Sequence, residues 1–319
     1  MVTNFQKASY EISEQQANYI KMVDFVFPYV NGEDPVWQSQ FTAYCNEHGI
    51  QFNEPPRFRD WGLLKYVFRS ISLNMPFIRT VHMIVSSESQ VPAWINRKNV
   101  NIVLHKDIIP KEFLPTFNST AIEMFIHRVP NLSEKFLYSN DDIYAVKELQ
   151  EEQFFRGSRP IVALFLKDVI NATSQFRKVV IHCQNLVLKD FDDIVVPAGK
   201  YYRPPHLITP MLKSTHKKVW ELHKKEIEES ISALREEKNY NQYIFTDYQV
   251  FSGENVNKNI DGVYCDFFGS TLEKIKKCIE EPEKSILCVN DNSRAPNNVY
   301  ELLQPSFDML FPYKCKYEV

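Results

Sequence analysis

Two apolar, strand-like runs end in an asparagine–aspartate pair: Phe136-Leu137-Tyr138-Ser139-Asn140-Asp141-Asp142 and Ile286-Leu287-Cys288-Val289-Asn290-Asp291-Asn292. A third, Val23–Val30, runs into Asn31-Gly32-Glu33-Asp34. In an open α/β sheet the carboxyl ends of strands form the ligand crevice. Asp and Asn supply the hard oxygen ligands with which Mg²⁺ holds a phosphate. The pattern points to phosphate chemistry, with carboxylates from two separate strand ends able to bracket one divalent ion. Asn140-Asp141-Asp142 taken alone also reads as an ordinary turn, because these residues are common turn formers.

Other residues fit the same chemistry. His206 follows Pro204-Pro205, which fix the backbone that aims its imidazole, and histidine is the usual general base near neutral pH. It also reads as a satisfied core or surface histidine. Arg235 offers a planar fork for phosphate oxygens, or is a solvated helix residue. Arg57 and Arg59 stand before an expected helix start, where the dipole and free N–H groups favour a diphosphate. Asp60 then serves the same site or caps that helix. Around Leu114–Ser119, the residues Asn118, Glu123, His127 and Arg128 form a polar face that is either an acceptor site or exposed surface.

The elements that must position these groups alternate as an α/β class requires. Val23–Val30 reads as a strand, with Pro28 predicting an edge position or a bulge near its end. Leu63, Leu64, Val67, Phe68 and Ile71 recur at helical spacing within 61–73. Strands are expected over Thr80–Val85 and Val100–His105. A helix is expected over Ser119–Val129, capped by Ser119 or Asn118, and it leads into a strand over Phe136–Asp142. Residues 150–205 are too punctuated by Gly and Pro to assign. A charged helix is predicted over Thr215–Lys238, with Val219, Trp220, Leu222, Ile227, Ile231 and Leu234 facing the core and Arg235 near its end.

The 319 residues are 44% apolar and 13% aromatic, ample for a core, and read as a polar lead-in (1–22) followed by a single domain (23–319). A net charge of −3 with interspersed signs leaves no basic stripe for nucleic acid. Eight glycines form neither a G-x-G-x-x-G motif nor a P-loop, so phosphate must be held by side chains and metal. The six cysteines have no C-x-x-C pair and read as reduced thiols. The N-terminus lacks a signal-peptide core, and no apolar run approaches the ~18 residues of a membrane span. The expectation is a cytoplasmic protein, at most peripheral to the inner face of a membrane.

In order and spacing, these segments resemble the Stealth family of capsular-polysaccharide phosphotransferases, related to the animal N-acetylglucosamine-1-phosphotransferase. The first conserved region is matched by Val23–Asp34 with Tyr29-Val30-Asn31-Gly32 and Asp34. The second spans Arg57–Asp142, through Arg57-Phe58, Asp60, Arg69-Ser70-Ile71, Val91-Pro92-Ala93-Trp94, Leu114-Pro115-Thr116-Phe117, Ala121-Ile122-Glu123, His127-Arg128 and Asn140-Asp141-Asp142. The third, about 201–253, is anchored at His206 and Arg235. The fourth, about 286–315, runs through Leu287–Asn292 to Phe311-Pro312. The chain departs from the family after Asp60, where acidic residues commonly precede Leu-Arg-Tyr and this sequence has Trp61-Gly62-Leu63-Leu64-Lys65-Tyr66.

The resemblance implies a glycosyltransferase-A-like sheet, Mg²⁺ or Mn²⁺ dependence, and transfer of a sugar-1-phosphate from a UDP-sugar to a glycan hydroxyl. It assigns metal to Asp142 and Asp291 with Asn290 or Asp141, phosphate to Arg235, proton removal to His206 with Asp141 as the alternative base, and the donor to Asn31, Gly32, Asp34, Arg57 and Asp60. A metal-dependent glycosyltransferase and a non-catalytic carbohydrate-binding protein are the rival readings.

Overall fold

The computed structural model describes residues 23–52, 58–171 and 174–319; the lead-in expected over 1–22, and Arg57, lie outside them. Its main sheet has the order β10-β4-β1-β2-β3, formed by β1 (Val23–Pro28), β2 (Ile78–Val85), β3 (Val100–Leu104), β4 (Lys135–Tyr138) and β10 (Thr209–Leu212). Strands β1 to β4 are parallel and β10 is antiparallel to β4. The chain winds outward from β1 to β2 and β3, then returns to place β4 on the other side. The crevice therefore opens at the carboxyl ends of β1 and β4, where the strand order reverses. This is the α/β, glycosyltransferase-A-like arrangement expected.

β1 is central, not an edge strand. Its Val26 carbonyl accepts from Ser139 N on the β4 side, whereas Tyr29 N donates to Ile84 of β2. Alternation along the strand turns the donor-less nitrogen of Pro28 toward the β4 side, where pairing has ended at Val26–Tyr138. No ladder bond is lost.

A smaller sheet, β11-β12-β5, combines β11 (Gly262–Asp266), β12 (Ile286–Asn290) and β5 (Ile143–Ala145). β12 runs antiparallel to β5, and Val289 N donates to the Asp142 carbonyl at 3.0 Å. Two asparagine–aspartate segments 150 positions apart thereby meet. The helix α2 (Leu64–Asn74) joins the sheets: Ser70 Oγ accepts from Ala145 N, and Asn74 Nδ2 donates to Ala145 O. Tyr66 and Tyr144 both pack on Phe307, with ring centroids 4.9 and 4.5 Å away. Deleting such a fully buried ring costs about 3–5 kcal/mol.

Four predicted elements shift a boundary by three residues or more. α2 starts at Leu64 because Gly62 has φ +74°, incompatible with helix, and its N–H is turned onto Asp60 Oδ1; Asp60 does not cap the helix, whose N-cap is Leu63. The helix α3 (Ser119–Met124) is capped by Asn118 and gives way to a 3₁₀ turn over Ile126–Arg128. The strand expected over Phe136–Asp142 ends at Tyr138, where the chain leaves β1 to enter β5. The charged helix, here α5 (Lys213–Ser230), kinks at His223 and stops before Ile231. Asn118 Nδ2 donates to the carbonyls of Ser232 and Leu234, and Phe117 N to that of Ala233, holding the next segment as a loop. Arg235 is therefore a loop residue, and Leu222 is exposed on α5.

The unassigned middle contains two hairpins, β6 (Phe155–Arg156) with β7 (Arg159–Pro160) and β8 (Phe165–Asp168) with β9 (Lys200–Arg203), and the helix α4 (Gln175–Val187). Further helices are α6 (Tyr243–Phe251), α7 (Leu272–Glu280) and α8 (Val299–Leu310). No described helix is long and apolar enough to cross a membrane.

Candidate active site

A cleft of about 690 Å³ opens at the ends of β1 and β4 and reaches the end of β12. Asp60, Glu123, Asp141, Asp142, His206, Arg235, Asn290 and Asp291 line it. Asn31, Gly32, Asp34, Asn118, His127 and Arg128 are not among its lining.

Those six have local work. The Asn31 backbone is clasped by the Gln90 amide, which accepts from Asn31 N at 2.6 Å and donates to its carbonyl at 3.1 Å. A Cβ on Gly32 would lie 2.5 Å from the Phe58 carbonyl oxygen, which accepts from Gly32 N at 2.8 Å. Asp34 caps the helix α1 (Pro35–Glu47) by accepting from Trp37 N at 2.7 Å. Asn118 is the cap and loop clasp described above. His127 is buried with its ring centroid 5.7 Å from that of Trp220, and the Arg128 guanidinium lies over the Phe125 and Trp220 rings. Their aromatic and capping contacts shape the walls around the cleft: Trp37, Phe58 and Phe117 form one of them.

The negative side is crowded. Burial and the charges of Asp142 and Asp60 hold the Asp141 carboxyl well above its usual range. Burial, with Asp291 adding to it, pushes the Asp142 carboxyl up to about 7. Asp142 Oδ1 is buried with no hydrogen-bond partner among the described residues. Asp60 accepts from the Tyr29 hydroxyl at 2.7 Å and from Gly62 N. A group of carboxylates that resist ionising side by side, one of them presenting an unpartnered buried oxygen, fits a hard divalent cation such as Mg²⁺ or Mn²⁺. Asp141, Asp142 and Asn290 can hold it. Asp291, at the same rim, is engaged by Arg59.

Basic groups line the same cleft. Arg235 Nη2 donates to Ser119 Oγ at 2.5 Å, tying the 231–242 loop to the start of α3. Arg203, at the end of β9 and three residues before His206, also lines the cleft. The reading of the sequence missed it; its position at a strand end just before Pro204-Pro205-His206 was the available signal. Burial lowers the His206 ring to about 4, and the charges of Arg203 and Arg235 add to that effect, so the imidazole is neutral at pH 7. A hydrogen-bonded series orients it: Gln242 N donates to Glu123 Oε2, the Tyr138 hydroxyl lies 2.9 Å from Glu123 Oε1 and 3.1 Å from Asn140 Oδ1, and the Asn140 amide approaches His206 Nε2 at 3.3 Å. Glu123 thus reaches the site through Tyr138 and Asn140. Burial raises its own carboxyl, against the Gln242 amide, the Tyr138 hydroxyl and Arg235.

The arrangement can neutralise phosphate oxygens through its arginines and a carboxylate-held cation, and accept a proton on His206. Comparisons with known proteins agree. Residues 57–161 match Stealth protein CR2, conserved region 2. Over 304 residues the chain is 30% identical to a capsular polysaccharide phosphotransferase of Actinobacillus suis, spanning 88% of this chain and 80% of that protein. A capsular polysaccharide phosphotransferase of Streptococcus pneumoniae is 27% identical across 94% of this chain and 99% of its own length. An exopolysaccharide phosphotransferase of Lactiplantibacillus plantarum is 26% identical across 93% and 96%. Similarity sustained over most of both chains, together with the conserved region match, makes this chain a member of the Stealth family and an enzyme of the phosphotransferase class.

Proposed function

We propose that the protein transfers a hexose- or N-acetylhexosamine-1-phosphate from a UDP-sugar to a hydroxyl of a capsular or exopolysaccharide glycan, releasing UMP. The observation that carries this reading is the gathering, in one cleft, of Asp60, Asp141 and Asp142 with Arg203, Arg235 and a neutral His206. The names of the relatives support a polysaccharide as the acceptor class.

The acceptor oxygen attacks the phosphorus that carries the sugar. An O–P bond forms, the bond from that phosphorus to the bridging oxygen breaks, and the electron pair leaves with UMP. The acceptor proton passes to the His206 ring. Its basicity rises when a bound diphosphate offsets the charges of Arg203 and Arg235 that depress it. Arg235 and Arg203 meet the oxygens around the attacked phosphorus, since phosphoryl transfer needs positioning and charge neutralisation above all. Asp141, Asp142 and Asn290 would hold a divalent cation, which would supply Lewis-acid neutralisation of the diphosphate. The aromatic wall of Trp37, Phe58 and Phe117 offers rings against which a sugar or base can pack.

The test is the fate of the phosphorus. With UDP-sugar, acceptor glycan and Mg²⁺, UMP release and a phosphodiester resonance in the ³¹P NMR spectrum of the product are expected. UDP release with a phosphate-free product would identify a glycosidic-bond-forming enzyme instead. Binding without turnover would leave a carbohydrate-binding protein. Membrane attachment is part of the proposal only as peripheral docking near membrane-bound glycan machinery, tested by fractionation.

A further inference from the structure

Behind one wall of the cleft, two groups used for transfer lie beside a thiol that transfer does not use. A carboxylate oxygen of Asp142, a ring nitrogen of His206 and the Cys288 sulfur all lie within 4.8 Å of one another. They come from three separate elements: the turn before β5, the segment after β9 and the middle of β12. Cys288 is fully buried between β11 and β5, opposite Tyr264 on one side and Ile143 on the other. Asp142 Oδ1 is the buried oxygen that no group of the described residues satisfies.

Oxygen, nitrogen and sulfur donors in one small volume do not suit Mg²⁺, which takes oxygen ligands almost exclusively. They suit a borderline-soft ion, for which thiolate and imidazole are preferred and three protein ligands with an open fourth position are common. We propose that Asp142, His206 and Cys288 form a site for a thiophilic divalent cation, Zn²⁺ being the one tested, whose binding inhibits transfer. The inference rests on the roles given above to Asp142 and His206. Zn²⁺ withdraws Asp142 from the catalytic cation and binds the His206 ring that takes the acceptor proton, and the thiol proton it displaces from Cys288 goes to solvent. A site selective for Mg²⁺ by its oxygens thus has a second, softer set of ligands that extends behind its wall, and the ratio of the two ions sets the rate.

Direct binding is read without turnover by titrating the chelator-stripped full chain with Co²⁺. A sulfur-to-cobalt charge-transfer band at one equivalent is expected, displaced by Zn²⁺ and absent in Cys288→Ser. With Mg²⁺ saturating, Zn²⁺ should inhibit transfer, and Cys288→Ser should need at least about tenfold more Zn²⁺ for the same inhibition, since loss of a ligand exceeds the cost of losing its supporting contacts. Cys288→Ala serves as the second variant, and thermal unfolding shows which of the two is folded. No cobalt band in the wild type, or a band that survives in the folded Cys288 variant through another cysteine, overturns the site. Unchanged Zn²⁺ sensitivity in that variant overturns its link to inhibition. If the band behaves as expected but UDP-sugar yields no UMP, the metal site stands and the proposed transfer falls.

Discussion

Asp291 takes both hydrogen bonds of the Arg59 fork, from Nε at 2.9 Å and from Nη2 at 2.5 Å, across 232 positions of chain. The pair closes the rim between the segment before α2 and the end of β12. It sets Asp291 apart from Asp141 and Asp142, whose carboxylates have no such arginine fork among the described residues. Arg59→Ala frees the Asp291 carboxylate toward the cleft, and a cation-dependent enzyme should then show altered Mg²⁺ dependence with the fold intact. Asp291→Asn keeps the shape and removes the charge, and is expected to lower kcat/KM by about tenfold or more through loss of the ion pair that closes the rim. Transfer by Asp291→Asn at the wild-type rate in limiting Mg²⁺ would remove Asp291 from the site.

Asp142→Asn should separate stability from activity. The folded protein holds the Asp142 carboxyl at about 7 against an ordinary value of 3.8, so the charged form is disfavoured and stability is lost as pH rises through that window. Removing the charge should raise the unfolding midpoint of chelator-treated protein at pH 8 by about 2 °C or more. Transfer should collapse at the same time. A variant less stable than wild type without metal would contradict the electrostatic crowding.

His206→Ala is expected to lower kcat by roughly a hundredfold, the usual contribution of a general base, with little change in donor binding. Asn140→Ala should give a smaller loss of the same kind, because Asn140 positions the ring without touching substrate. Near-normal turnover in His206→Ala moves the proton to Asp141. Arg235→Lys should instead raise the donor KM, since a point charge does not reproduce the planar fork.

Acid stability has a separate origin at the far end of β1. Burial alone would raise the Asp24 carboxyl, but hydrogen bonds from His82, Arg79 and the Ser133 amide hold it at about 2. A depressed carboxyl contributes stability that is present above its unfolded value near 4 and is lost as pH falls toward 2. Urea unfolding at pH 6, 4, 3 and 2 should show the wild type losing stability over that range. Asp24→Asn should start less stable and lose less. Parallel curves for the two proteins would place the acid sensitivity elsewhere.

The local chemistry of the strand ends was legible in the sequence. Apolar runs breaking into Asn-Asp identified β4 and β12, the spacing of Val67, Phe68 and Ile71 identified α2, and Asn118 was recognisable as a cap because its side chain acts within a turn of its own backbone. Boundaries set by distant partners were not. Asn118 draws residues 232–234 out of the helical course their composition suggests, from more than a hundred positions away.

The site divides the same way. Residue type already singled out Asp60, Asp141, Asp142, His206, Arg235 and Asp291, because charge and ligand softness belong to the side chain itself. Which of them meet was decided by the pairing of β12 with β5, which sets Val289 N on the Asp142 carbonyl and brings Cys288 beside His206. Asn31, Gly32 and Asp34 form an equally suggestive motif, yet the fold spends them on the Gln90 clasp, the close approach to Phe58 and the cap of α1. A hydrogen bond or a carboxylate repulsion depends on separations of a few ångströms, and those come from strands that are adjacent in space and more than a hundred residues apart in sequence.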